Sequence, residues 1–387
     1  MSERDLLMIP GPINFDPGVL RAMSAPTAGH TTPEFIACFG EALEWMKHVW
    51  RSPSGTPFAI AGSGTLAMDI AASNLVEPGD RALVLSTGYF GDRMAVIVER
   101  YGAEVTTLRA ELGDAFALER VEAELARVKP KVVMMTHVDT STGVAIDVQG
   151  LTKLARKYHA LSVVDGVCSV AGEELRQDEW GVDVAFTASQ KAVGVPPGLA
   201  LLVVSPRALE SFRARKKPVA NYYADWTNWL PIMEAYIARK PSYFGTPAVN
   251  LVYALRESLR QILAEGIDQR VARHKKLSDA FKAGITAIGL KQVPNRPENA
   301  ACTMTASYFP ASIDAKFIGK MRERGVVVAG GLHPAIREKY FRVGHMGVVS
   351  PADIFATLSF VESSLLALGY EFNEGAGMAA AEKMLAL

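Results

Sequence analysis

The chain has 387 residues, enough for two domains, and its 49% hydrophobic and 21% charged content is that of an ordinary globular protein. Lys and Arg total 41, as do Asp and Glu, and this balance argues against nucleic acid or an anionic membrane as the main partner. No apolar run approaches the roughly 20 residues that a bilayer span needs.

Met1-Ser2-Glu3-Arg4-Asp5 carries both signs and no signal-peptide core. The C-terminal Lys383-Met384-Leu385-Ala386-Leu387 is not a peroxisomal address. The three cysteines, Cys38, Cys168 and Cys302, have neither disulfide-framework nor zinc spacing, so no metal site is expected. These features predict a reduced, cytoplasmic setting.

Residues 1–16 contain Ile9-Pro10-Gly11-Pro12 and read as an extended arm. Residues 17–49 are helical in pieces, interrupted at 28–33. From Phe58 onward, short apolar runs alternate with amphipathic stretches. Strands are predicted at 58–61, 81–85, 104–108, 131–137, 161–165, 182–187 and 199–204. Helices are predicted from Thr65 to Leu75 and over 92–101, 118–128 and 148–158. That alternation specifies an α/β fold with a mostly parallel seven-stranded sheet and helices on both faces. A long helical stretch covers 249–284 and breaks near Glu265-Gly266. Residues 289–387 change style, with strands at 302–308 and 326–328 and helices at 313–324 and 351–368, which reads as a smaller α+β unit. The expected division is therefore an arm (1–16), a large domain (17–265) and a small domain (266–387).

Lys191 follows one of the apolar runs and precedes Gly194-Val195-Pro196-Pro197-Gly198, which places it at the mouth of the sheet. Asp165 closes another run. A strand-end acid and a loop lysine on one sheet fit pyridoxal phosphate, the lysine forming a Schiff base and the acid keeping the ring nitrogen protonated. Gly62-Ser63-Gly64-Thr65 sits where a strand turns into a helix, an arrangement suited to a phosphate. In Thr87-Gly88-Tyr89-Phe90-Gly91 an aromatic can lie flat on a ring. The hydroxyls of His137-Val138-Asp139-Thr140-Ser141-Thr142-Gly143 can bond a cofactor oxygen or an amino acid. Val167 falls on the same side as Asp165. Arg342, within Phe341-Arg342-Val343-Gly344, is costly to bury unpaired and suits a carboxylate held at two points. Each feature alone is an ordinary turn, cap or core residue. Their gathering at strand ends 61, 86, 137, 165 and 188 carries the argument, because such sheets bind ligands beyond their carboxyl edge.

With these residues the chain resembles the class V (fold type I) PLP aminotransferases of the alanine–glyoxylate and serine–pyruvate branch, nearly end to end. The resemblance is carried by Pro10-Gly11-Pro12, Ala61-Gly62-Ser63-Gly64-Thr65, Thr136-His137-Val138-Asp139-Thr140-Ser141-Thr142, Asp178-Glu179-Trp180-Gly181-Val182-Asp183, Thr187-Ala188-Ser189-Gln190-Lys191 and Arg342-Val343-Gly344-His345-Met346-Gly347. It implies that Lys191 holds the cofactor and shuttles a proton while Asp165 pairs with the pyridine nitrogen. Phe90 would stack on the ring and Val167 pack below it. Ser63, Gly64, Thr65 and Gln190 would bind the phosphate, and Ser141 would lie near the cofactor oxygen. Arg342 would clamp the substrate carboxylate, and Gly29 would line a small pocket. Tyr243 and Thr246 would reach the phosphate across a homodimer. The implied activity is ping-pong transamination between L-alanine and glyoxylate, giving pyruvate and glycine. Serine–glyoxylate or serine–pyruvate exchange is the nearest alternative. Cysteine desulfuration on the same fold requires a mobile cysteine, and a non-enzymatic scaffold has no use for Lys191, Asp165 and Arg342 together.

Overall fold

The computed structural model describes residues 5–386. Seven strands form the central sheet: β1 (Thr56–Ala61), β2 (Arg81–Ser86), β3 (Glu104–Arg109), β4 (Val132–Thr136), β5 (Leu161–Asp165), β6 (Val184–Ala188) and β7 (Leu199–Val204). Their order in space is β1-β7-β6-β5-β4-β2-β3. β2 to β6 run parallel, and β7 runs antiparallel to both of its neighbours. The reason for that reversal is chain length. Only residues 189–198 separate β6 from β7, fewer than the roughly dozen needed for a parallel crossover. Lys191 lies in this short return.

β4, β5, β6 and β7 are buried along their whole length, which explains why they read in the sequence as unbroken apolar runs. Two helices start at the carboxyl edge of the sheet, α3 (Gly64–Leu75) after β1 and α4 (Tyr89–Arg100) after β2; they follow α1 (Pro17–Met23) and α2 (Pro33–Val49). The sequence placed the start of α4 three residues late, at Asp92.

The predicted break in the long helical stretch separates Val249–Glu265 from Ile267–Ala287 at Gly266, whose φ of +86° suits glycine. The last third contains a three-stranded antiparallel sheet of β8 (Met304–Tyr308), β9 (Ala329–Gly330) and β10 (Tyr340–Gly344). Cys302 precedes β8 and lies in a loop, where its N–H donates to the Glu173 carboxylate. Helices Trp226–Ile237 and Ala376–Ala386 were not anticipated; the first carries Pro231 inside it, which masks its pattern.

The arm is anchored. Leu6 and Leu7 pair in parallel with Val326 and Val327, Met8 is fully buried in the hydrophobic cluster that includes Phe281, Phe317 and Phe341, and the Gly344 N–H donates to the Met8 carbonyl at 2.8 Å. Among the described residues no helix is long and apolar enough to cross a membrane, and no cluster of three or more His, Cys, Asp or Glu is placed to hold a metal.

Candidate active site

A cavity of about 200 Å³ opens at the carboxyl edge of β1, β4 and β5. Eight sequence-predicted residues line it together: Ser63, Gly64, Thr65, Phe90, Asp165, Val167, Gln190 and Lys191.

Lys191 is held by a rigid turn. Ser189 Oγ donates to the Pro196 carbonyl at 2.8 Å, and the Val195 and Gly194 N–H groups close back on Ser189 and Lys191. The side chain is 8% exposed, and its Nζ donates to the Pro10 carbonyl of the arm. Burial lowers its pKa, and the nearby charge of Arg342 lowers it further, against the pull of Cys168 and Asp165. A buried amine so placed favours its neutral, nucleophilic form.

Asp165 ends β5 and is 3% exposed. Its Oδ1 accepts the Val167 N–H at 2.9 Å, and among the described residues Oδ2 has no protein partner. Burial raises its pKa to about 7, against the Val167 hydrogen bond, with a further push from the buried Asp139 carboxylate. The charges of Lys191 and Arg93 pull the other way without offsetting burial, and among the described residues no cation bonds this carboxyl directly.

Two helix N-termini meet the site and are treated differently. That of α4 is filled: Asp139 Oδ2 accepts the N–H groups of Phe90 and Gly91 at 3.0 and 3.2 Å, and Oδ1 accepts Ser141 N and Oγ at 2.9 and 2.6 Å. That of α3 is open, because Ser63, its first flanking residue, makes no side-chain cap. The first N–H groups of a helix need acceptors and carry about half a positive charge between them, so this end fits an anion. The packing there is close: a Cβ on Gly64 would come within 3.0 Å of Val167 Cγ2 and 3.2 Å of Ala188 Cβ. Gln190 Oε1, beside the cavity, is buried without a partner among the described residues.

Ser141 lies behind the cavity wall. It is fully buried; its hydroxyl gives its proton to Asp139 and accepts the Tyr89 N–H at 2.9 Å. Thr136 and Thr140 stand in the lining instead. Arg342, on β10, donates from Nε to the Gly330 carbonyl at 2.8 Å and from Nη1 to the Thr140 carbonyl at 3.0 Å. Among the described residues its hydrogen-bond partners are backbone carbonyls and no carboxylate bonds it, although the Asp139 charge acts on it at longer range.

Gly29, Tyr243 and Thr246 are not brought to this chain's own cavity. All three are exposed; Tyr243 is 64% exposed, and its ring centroid lies 5.3 Å from that of His30, next to Gly29. Sequence reasoning did not assign Asp139, Gly11 or Arg93. Asp139 stood inside a quoted motif, but its role depends on α4, far away in the chain. The thiols are unsuited to nucleophilic work, since burial pushes Cys302 up to about 12 and also raises Cys168.

Residues 54–352 match the family Aminotransferase class-V. The chain belongs to the class V aminotransferases. It is 40% identical over 359 residues to "Alanine--glyoxylate aminotransferase 1" of Saccharomyces cerevisiae, covering 89% of this chain and 93% of that one. It is 33% identical to the "Serine--glyoxylate aminotransferase" of Arabidopsis thaliana, covering 99% and 95% of the two chains. The crystal structure of a ureidoglycine–glyoxylate aminotransferase from Bacillus subtilis superposes with a TM-score of 0.93 at 30% identity, covering 100% and 99%. The cofactor of this aminotransferase is pyridoxal 5'-phosphate (PLP) and its fold is fold type I. The residues present fit that cofactor: an uncapped helix end and an orphaned amide for a phosphate, a partnerless buried carboxyl for a pyridinium, and a depressed amine for an aldehyde.

Proposed function

We propose that this aminotransferase moves the amino group of L-alanine to glyoxylate, giving pyruvate and glycine, through two half-reactions that share one site. The observation that carries the reading is Arg342, a guanidinium held only by backbone carbonyls while its charge is felt at Lys191. An α-carboxylate is the partner this geometry lacks, and every α-amino acid and 2-keto acid brings one. The 40% identical yeast relative points to alanine and glyoxylate among such pairs.

The cofactor, when bound, supplies the electron sink. The protein does the rest. Lys191 would hold the cofactor through Nζ and, once freed by the donor's amine, would act as the base that takes the α-proton and the acid that gives it back two bonds away. Its lowered pKa keeps the free amine ready as a base. Asp165, ionised beside a cationic ring nitrogen, would keep that nitrogen protonated. Phe90 and Val167 would hold the ring, and Asp139 bonds the Phe90 N–H. The N-terminus of α3, with Ser63, Gly64, Thr65 and Gln190, takes the phosphate. Ser141 supports this frame through Asp139 and Tyr89. Water would release the keto acid, the amino group staying with the cofactor, and the acceptor would then take it by the same steps in reverse.

Two copies are part of this reading. The exposed patch of Gly29, Tyr243 and Thr246 would face the neighbouring copy's cavity, Tyr243 and Thr246 reaching its phosphate and Gly29 lining its substrate pocket. The expected setting is cytoplasmic, and the expected units are an arm, a large domain to 265 and a small domain after it.

The test is optical. Alanine should abolish the cofactor's absorbance band in the purified enzyme, and glyoxylate should restore it. No change with alanine would refute the proposal. Serine is the alternative donor, supported by the plant relative, and a faster half-reaction with serine than with alanine would select it.

A further inference from the structure

The anion cradle has a cation that neither the motifs nor the comparisons assign. Arg93 lies on α4 one turn beyond Phe90, so the two side chains share a face of the helix. Its Nη1 donates to Thr65 Oγ1 at 3.1 Å, and its Nη2 donates to the Tyr89 hydroxyl at 3.3 Å. Its Cζ stands 4.9 Å from the Phe90 ring centroid and 5.0 Å from that of Tyr89. It lines the same cavity as Ser63, Gly64 and Gln190.

The charge count is unbalanced without it. The cavity lining holds three charged residue types only, Arg93, Asp165 and Lys191. Lys191 is committed to the reaction, and Asp165 has the wrong sign for a phosphate. A phosphate monoester carries about −1.5 to −2 charge near pH 7, and an open helix N-terminus offsets about half a unit. Arg93 meets no carboxylate among the described residues. Its only hydrogen-bond partners among the described residues are two hydroxyls, which leaves most of its five N–H donors unused there. Thr65 Oγ1, the atom it touches, belongs to the first turn of α3, where the anion would sit.

We infer that Arg93 is the charged partner of the cofactor's phosphate, holding it jointly with the N-terminus of α3 and Thr65. This rests on the reading that PLP occupies the cavity with its phosphate at α3. The two aromatic rings keep the guanidinium in place by cation–π contact, so one side chain couples phosphate binding to the placement of Phe90. A lysine would keep the charge and lose the planar fork.

The experiment compares two ligands that differ by the phosphate. Dissociation constants for PLP and for pyridoxal are measured on resolved wild-type protein, Arg93→Gln and Arg93→Lys. Removing a charge-assisted contact should weaken PLP by at least about tenfold in Arg93→Gln, while pyridoxal changes by less than about twofold. Arg93→Lys should fall between, again with the loss confined to PLP, and it carries the test if Arg93→Gln does not fold. Equal weakening of both ligands would overturn the inference, since Arg93 would then only prop the ring-contacting Phe90. Unchanged PLP affinity in both variants would overturn it as well. Borohydride reduction of the wild type separates the two levels of the argument: a pyridoxyl adduct absent from Lys191 would sink the cofactor placement itself, whatever the Arg93 variants do.

Discussion

Replacing Asp165 with Asn should stabilise the cofactor-free protein while it disables the enzyme. The carboxyl is 3% exposed, its Oδ1 accepts one backbone N–H, and its pKa rises from 3.8 to about 7 because burial disfavours its charge. A folded-state pKa above the unfolded value means that the native protein keeps a proton the unfolded chain releases. The stability tied to this proton is full below about pH 4 and is lost as pH rises toward 7. Three units at about 1.36 kcal/mol each make the loss about 4 kcal/mol by pH 8. Asparagine keeps the oxygen that meets the Val167 N–H and has no charge to bury. Cofactor-free Asp165→Asn should therefore unfold at higher denaturant than the cofactor-free wild type at pH 8, and the difference should vanish near pH 4. With PLP present the order should reverse, because the wild-type carboxylate gains the cationic ring nitrogen it lacks and the amide does not. The measurement is denaturant unfolding at both pH values, with and without cofactor. A cofactor-free Asp165→Asn protein less stable than wild type at pH 8, or one with the same pH slope, would refute the view that this group is held in wait for a cation.

Arg342→Lys keeps the charge but not the fork, so KM for alanine and for glyoxylate should rise roughly 10- to 100-fold with a smaller change in kcat, read from steady-state kinetics. Asp139→Ala strips the acceptor from four donors, those of Phe90, Gly91 and Ser141; stability should fall by about 2–4 kcal/mol in denaturant titration, with Asp139→Asn less affected. Gly11→Ala adds a Cβ 2.6 Å from Lys191 Cδ at a φ of +94°; a loss of about 1–3 kcal/mol is expected, together with slower incorporation of borohydride-trapped cofactor at Lys191, read by mass spectrometry.

Much of this molecule was legible because buried parallel strands announce themselves. Runs such as residues 161–165 and 199–204 have no polar face to hide them, and the helices between them carry clear amphipathic patterns. Lys191, Asp165, Ser63, Gly64 and Thr65 could be placed because each stands at the end of such a run. The antiparallel course of β7 was implicit in its ten-residue link to β6, although the sequence reading did not draw it out. What stayed hidden are relations across the chain. Asp139 bonds the N–H of Phe90 across 49 positions, and Arg93 reaches Thr65 across 28. Gly29, Tyr243 and Thr246 do not line the cavity of their own chain. The even charge balance also concealed a local basic run, Arg213, Arg215, Lys216 and Lys217. Arg215 donates to the Asn74 and Val76 carbonyls, and Glu77 accepts the N–H groups of Lys216 and Lys217. Part of this run therefore closes the far end of α3 instead of facing a polyanion.

That closure bears on the proposed anion site. The C-terminal end of α3 has its carbonyls met by Arg215, while its N-terminal end is uncapped. The neighbouring α4 has its N-terminal donors taken by Asp139. Of the two helix N-termini that reach the cavity, one is satisfied from within the chain and one is not, so a phosphate entering it meets a single strong set of donors. Lys191 and Asp165 stand at fixed positions on the same sheet edge, so a phosphate anchored at that one helix end would also orient the aldehyde and the ring nitrogen. Filling α3 from within, for instance by an acid at Ser63, would remove that orientation while leaving the two reactive side chains in place.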